Sequence, residues 1–299
     1  MSEQTSQEPG GGWSLFESSP VSRDLLVTAG PLVLLELLFF IGPVLIMFYI
    51  ATMRMEDLVL IPNYGIGNFL AVFTEFVNRT AFVNTTTLAV LTTVTAAVIA
   101  YPLAYYIARF GGRYKNQLAV LVMIPFWTNF IVRVYGWKII LGSQGVLNSA
   151  LMALGVVNQP IEWIINSSFS IWLGLTYLWL PFMILPLYSS LEKIDGEIIE
   201  AAYDLGASRY AVFRRIVLPL SLSGLVGGFI FVFIFSMGAY IVPAMLGGGE
   251  LFMGTRIAYE FGIGGDWPMG AALGSVLMIV VVGVLWSLLG YVNLEEMFQ

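Results

Sequence analysis

The residues best placed to do chemistry form a small charged island between two long apolar runs. They are Glu200-Ala201-Ala202-Tyr203-Asp204-Leu205-Gly206, followed by Ile216-Val217-Leu218-Pro219. Written as a pattern this is E-A-A, three residues, G, nine residues, I-x-L-P. A lone glutamate beside two alanines is equipped for charge pairing and close docking, not for bond making. The 299-residue chain holds no histidine and no cysteine. It therefore lacks the usual general base near neutral pH and the usual thiolate nucleophile or metal ligand. These absences argue against a metalloenzyme or a His-dependent hydrolase, and disulfides are impossible.

The elements that must position this island are apolar. Hydrophobic residues make up 58% of the chain and charged residues 11%, against about 25% charged in soluble domains; mean hydropathy is +0.85. Net charge is −6 with a pI near 4.7, which argues against nucleic-acid binding. Six runs are long enough to cross the roughly 30 Å of bilayer hydrocarbon as helices: about 25–52, 85–108, 116–141, 169–191, 216–246 and 268–293. The first exceeds a signal-peptide core of about 7–15 residues, and the fifth is long enough for a tilt or a break. Residues 1–24 are polar and Gly-rich and read as a disordered cytoplasmic tail, while 294–299 form the C-terminal end.

Orientation follows from Lys and Arg in the short connections. With the N-terminus in the cytoplasm, the inner segments carry Arg23, then Arg109, Arg113 and Lys115, then Lys193, Arg209, Arg214 and Arg215. The outer ones keep Arg54, Arg79 and Arg256, with Arg133 and Lys138 near a helix end. Both termini are thus expected in the cytoplasm, and so is the island, in the loop 192–215. The outer connections 53–84, 142–168 and 247–267 are long. Val146, Leu147, Ala150, Leu151 and Leu154 predict a short amphipathic interfacial helix. Gly247-Gly248-Gly249-Glu250 predicts a flexible turn.

Within the loop, Ile194, Ile198, Ala201 or Ala202, and Leu205 fall on one stripe of an amphipathic helix. Asp195 stands at the N-cap, and Glu197 and Glu200 lie early, where the helix dipole favours acids. Gly206 supplies a C-terminal stop. Ser208 caps a second short helix running through Phe213 to Arg215, and Pro219 falls in the first turns of the fifth span. A helical hairpin lying on the membrane surface would share the amphipathicity. It leaves the E-A-A…G…I-x-L-P spacing without a reason.

That spacing resembles the cytoplasmic loop by which permease subunits of ATP-binding-cassette importers dock on their ATPase. Further stretches resemble the spermidine/putrescine importer permeases: Pro125-Phe126-Trp127-Thr128-Asn129, Arg133-Val134-Tyr135-Gly136-Trp137, Leu180-Pro181-Phe182-Met183-Ile184-Leu185-Pro186-Leu187-Tyr188, Asp266-Trp267-Pro268-Met269-Gly270-Ala271-Ala272 and Asn68-Phe69. The resemblance implies an all-α integral membrane protein of the type I importer permease fold in the inner or plasma membrane, with six transmembrane helices and both termini cytoplasmic. It implies two copies of an ATPase that binds ATP and Mg, a second homologous permease, and an extracytoplasmic substrate-binding protein. No cofactor is expected in this chain itself, and its surroundings are membrane lipid.

The coupling residues implied are Glu200, Ala201, Ala202, Asp204, Gly206, Ile216, Leu218 and Pro219. Glu36 is the one carboxylate inside a clear span, and an intramembrane acid is a functional candidate by default. With a polycationic cargo, an acid and aromatic faces are suitable contacts, so the path candidates are Glu36, Trp127, Asn129, Arg133, Trp172, Tyr177, Trp179 and Tyr240. Arg133 counts against a purely acidic path unless it belongs to an ion pair or a gate. A permease of the same superfamily for an anion or an iron complex would share the loop. A secondary transporter would need no ATPase, but it is expected to show inverted repeats, which are not evident here.

Overall fold

Backbone polar groups in hydrocarbon must be satisfied within the chain, which leaves helices as the form for long apolar runs. The computed structural model describes residues 23–289. Most of the expected tail 1–24, the end of the sixth run at 290–293 and the terminal 294–299 lie outside the described residues. Two compact units result, one ending at Ile46 and one beginning at Met47. The first unit holds α1 (Arg23–Glu36) and a π-turn (Leu37–Ile41) that leads into α2 (Gly42–Ala51). Pro43 has no N–H to donate, and the turn before it widens so that the Gly42 N–H reaches the Leu37 carbonyl.

The second unit opens on a hairpin that the sequence did not announce in an otherwise helical chain. Strands β1 (Arg54–Glu56) and β2 (Val59–Ile61) pair antiparallel, with Met55 opposite Leu60. Both turn residues, Asp57 and Leu58, have positive φ, as a two-residue hairpin turn requires. The helices that follow are α3 (Gly67–Thr74), α4 (Phe76–Phe110), α5 (Lys115–Met123), α6 (Phe130–Leu141), α7 (Val146–Ala153) and α8 (Ser168–Glu192). Then come α9 (Gly196–Asp204), α10 (Arg209–Val212), α11 (Leu218–Leu220), α12 (Leu222–Met237), α13 (Ile241–Leu246), α14 (Met253–Phe261) and α15 (Trp267–Leu289).

The core is a three-helix contact of α4, α8 and α12. Ala96, Ala100 and Ala104 on α4 are fully buried at four-residue spacing, which lets the backbones approach closely. Gly224 and Gly228 do the same on α12. A Cβ at Gly228 would lie 2.6 Å from Met183 Sδ, and one at Gly224 would meet the Pro186 carbonyl. Any larger residue there would push α12 off α8.

Four helices are long and apolar enough to cross a membrane, and two bent pairs raise the number to six. The run 116–141, expected as one continuous span, is broken, and its halves meet at 84°. The cause is local. A 3₁₀ turn (Ile124–Trp127) carries Pro125, Thr128 is extended, and Asn129 caps a new helix by accepting the Ile131 N–H at 2.9 Å. The run 216–246 is broken too, at Ser221 with a 62° bend and again at Gly238-Ala239-Tyr240, after which α13 is a separate helix.

The amphipathic helix expected near 146–154 is α7. The glycine run at 247–249 forms a turn that is tied down, not loose. Gly248 has φ +56, and a Cβ there would lie 2.6 Å from that of Asn166. Glu250 accepts both the backbone N–H of Ser168, at 3.0 Å, and its hydroxyl. Helix α14 fills the third outer connection. It is pinned to α4 by Arg256 Nε donating to Asn78 Oδ1 at 3.0 Å and by the Met253 N–H donating to Thr85 Oγ1 at 2.8 Å.

Candidate docking loop and aromatic chamber

The island folds as two short helices at a sharp bend. Asp195 accepts the Glu197 N–H at 3.0 Å and so caps α9; Ser208 accepts the Ala211 N–H at 3.2 Å and caps α10. At the far end of α9, the Gly206 N–H bonds the Tyr203 carbonyl at 2.9 Å, and the Ala207 N–H reaches the Ala202 carbonyl at 3.0 Å. These are the two bonds of a Schellman turn, and Gly206 holds the required left-handed φ of +83°. From Phe213 to Val217 the backbone widens into a π-turn that runs on through α11, carrying Leu218 and Pro219.

The stripe expected on α9 is split between two faces. Ile194 and Ile199 are buried in the same cluster as Leu187, Leu191 and Val217, with Ala202, Ala207 and Ile216 packed against it. Ile198 and Leu205, assigned to that stripe by spacing, turn outward instead and are 48% and 89% exposed. Ala201 is exposed between them. The spacing could not separate these faces, because a nine-residue helix places apolar residues on two adjacent stripes. Glu200 and Asp204 are exposed and form no ion pair among the described residues. The outer face of the loop is therefore a small apolar strip, Ile198-Ala201-Leu205, flanked by carboxylates. Its base is braced by an ion pair at 2.6 Å between Lys115 of α5 and Glu192 of α8.

The path candidates do not all converge. The structure brings together Trp179 and Tyr240 on one cavity, and Arg133 reaches its edge only through the ring of Phe130. Trp179 stacks on Phe130 at 5.8 Å and lies 4.9 Å from the ring of Phe235. Phe130, Trp179, Phe235, Gly238, Tyr240 and Val242 line a cavity of about 440 Å³. The Arg133 guanidinium sits over Phe126 and Phe130, at 5.7 and 5.8 Å. Asn129 acts as the cap that starts α6, and Trp127 is exposed beside it. Tyr177 packs edge-on against Trp137 at 5.4 Å. Trp172 is bound to α4 through Thr95 Oγ1 at 3.2 Å and does not line the cavity. Glu36 belongs to the first unit, is exposed there, and stands at the start of the π-turn.

Sequence reading missed Phe126, Phe130 and Phe235, because a phenylalanine in an apolar run looks like lipid-facing bulk. The usable signal was the break itself: Pro125 followed by Thr128-Asn129, which start a fresh helix. Aromatic faces attract cations, while the arginine repels them, so the chamber combines opposed tendencies.

Comparison with known proteins gives three findings. Residues 100–293 match the family described as "Binding-protein-dependent transport system inner membrane component". The spermidine/putrescine transport system permease protein PotB of Haemophilus influenzae is 40% identical over 205 residues, 67% of this chain and 71% of that protein. The inner membrane ABC transporter permease protein YdcU of Escherichia coli is 31% identical over 295 residues, 93% of each chain. A crystal structure of a bacterial ABC transporter involved in the import of the acidic polysaccharide alginate superposes with a TM-score of 0.68 at 18% identity, covering 91% of this chain and 98% of that one. That likeness bears on the fold alone. With its helical spans, its loop and these matches in agreement, this multi-pass membrane protein belongs to the binding-protein-dependent transport system inner membrane component family.

Proposed function

We propose that the chain is a permease subunit of an ATP-driven importer that passes polyamines, spermidine or putrescine, into the cytoplasm. The observation that carries the powering half of this reading is the exposed strip Ile198-Ala201-Leu205 on α9, held by the Gly206 turn. Two small residues, Ala201 and Ala202, let the helix enter a groove, and Glu200 offers a charge for a basic partner. Two copies of an ATPase bind ATP and Mg on the cytoplasmic side, and this chain needs no cofactor of its own. A second homologous permease completes the pathway, and an extracytoplasmic binding protein delivers cargo to the outer connections. ATPase closure moves α9, and with it α8 and the braced α5, so that the chamber opens alternately to either side. The coupling set is Glu200, Ala201, Ala202, Asp204, Gly206, Ile216, Leu218 and Pro219.

The cargo is supported by the 40% identity to spermidine/putrescine permeases and by the packed rings of Phe130, Trp179 and Phe235. A second reading, an anionic cargo, is favoured by Arg133, which has no ion-pair partner among the described residues. Reconstituted vesicles holding the full complex separate the two. Labelled spermidine should accumulate only with ATP, and sulfate should not. ATP-driven accumulation of the oxyanion instead would replace the polyamine reading.

A further inference from the structure

Arg133 stands at a helix end that does not favour a cation. It lies in the first turns of α6, next to the Asn129 cap, the end of a helix whose dipole disfavours positive charge. It forms no salt bridge among the described residues, and its Nε is buried without a hydrogen-bond partner. A charge inside a membrane span under these conditions is costly and marks function. What holds it is aromatic. Phe126 and Phe130, one on each side of the break, both lie within 6 Å of the guanidinium, at 5.7 and 5.8 Å. Phe130 in turn stacks on Trp179, which lines the cavity.

The guanidinium thus occupies ring faces that would otherwise be open to a cargo ammonium, and it sets a fixed positive charge against Phe130, a ring that lines the chamber. An ammonium group inside meets the rings of Trp179, Phe235 and Tyr240, which attract it, and Arg133, which repels it. A translocation path works only if its binding is weak enough to let cargo leave. We infer that Arg133 is a specificity-determining release residue: it limits how long cationic cargo dwells in the chamber and drives it onward. This inference rests on the polyamine reading above. Repulsion grows with cargo charge, so the triply charged polyamine should feel Arg133 more than the doubly charged one.

The test uses the permease–ATPase complex in detergent and the same complex with its binding protein in vesicles. Arg133→Gln should bind labelled spermidine about tenfold more tightly than the wild type, the size expected for losing one charge several ångströms away in a partly screened site. Turnover in vesicles should fall, and putrescine should respond less than spermidine. Arg133→Lys should behave like the wild type. Unchanged binding and turnover in the Gln variant would overturn the inference, and so would weaker binding. If the Gln variant does not assemble, Arg133→Met takes its place; failure of both assigns Arg133 a structural role and also overturns it. A wild type that takes up no polyamine rejects the cargo reading and the release role together. Wild-type polyamine uptake with an indifferent Gln variant rejects the release role alone.

Discussion

The docking loop and the aromatic chamber are built on opposite principles. In the loop, residues within thirteen positions of each other do the work: Asp195, Gly206 and Ser208 cap and turn helices through their immediate neighbours. In the chamber, Phe130, Trp179 and Phe235 come from three helices far apart in the chain, α6, α8 and α12, and Tyr240 from the break that follows α12. The loop is a rigid part that tolerates exposure, with Leu205 at 89%, because its shape comes from backbone geometry. The chamber has no shape until two broken spans meet α8. The part proposed to receive force is thus locally encoded, and the part proposed to meet cargo is assembled.

The sharpest way to break this comparison is at the loop. Glu200→Lys should lower ATP-driven uptake on the order of 100-fold, as expected when one charge of an interfacial pair is reversed. Its level in the membrane should not change, because Glu200 is exposed and forms no ion pair among the described residues. Gly206→Val should cause a comparable loss by another route. No atom lies within 4 Å of a Cβ there, so the cost is the left-handed backbone, about 1–2 kcal/mol, and the angle between α9 and α10 must change. Normal uptake by both variants would remove the loop from coupling.

The next effect is in the chamber. Trp179→Ala removes a ring that packs against Phe130, Phe182 and Phe235 and should destabilise the protein by about 3–5 kcal/mol, read as a lower melting temperature in detergent. Trp179→Phe should keep the fold while weakening cargo uptake severalfold, since phenylalanine has the weaker cation-binding face. Equal stability of the Ala variant would show that the rings are not a packed unit.

Smaller effects test how local the loop is. Asp195→Ala and Ser208→Ala should each cost about 1 kcal/mol of helix stability and raise amide exchange across 196–212 without altering exchange at α6. The smallest effect tests a third place, the α14 anchor, as a control. Burial raises the Glu260 pKa; Arg256 opposes the shift, and Asp266 and Glu75 add to it. A carboxyl raised on folding contributes stability below its unfolded pKa and loses it as pH rises through the folded value. Relative to Glu260→Gln, the wild type should therefore lose melting temperature between acid and neutral pH. A difference that grows with pH in the opposite sense would mean that the Arg256 pair outweighs burial.

Much of this was legible before the fold was known, and the limits follow from the same contrast. The caps at Asp195 and Ser208 and the stop at Gly206 were readable because each acts on its own neighbours. Which way Ile198 and Leu205 face was not, since that depends on what α8 and α12 leave uncovered. The break inside 116–141 escaped a reading based on hydropathy, and the length of 216–246 allowed a break without placing it. Thr128-Asn129 and Gly238-Ala239 interrupt a helix without interrupting an apolar run. The hairpin 54–61 escaped as well, because its turn is Asp57-Leu58 and leucine gives no signal for positive φ. Of the proposed path residues, Trp172 and Tyr177 were aromatic by identity but are engaged elsewhere, with Thr95 and Trp137.

By itself, the sequence determined the membrane setting, the apolar runs long enough to cross it, the two-helix loop and its bend. Each of these rests on composition or on contacts a few residues apart. Only the tertiary structure decided which aromatic rings form one chamber, that Arg133 lies over one of them with no ion pair among the described residues, and which face of α9 is left open. Those outcomes depend on packing between α4, α6, α8 and α12. Lipid-like hydropathy is the same for a ring that faces the bilayer and for one that faces another helix, so no pattern along a single chain can tell them apart.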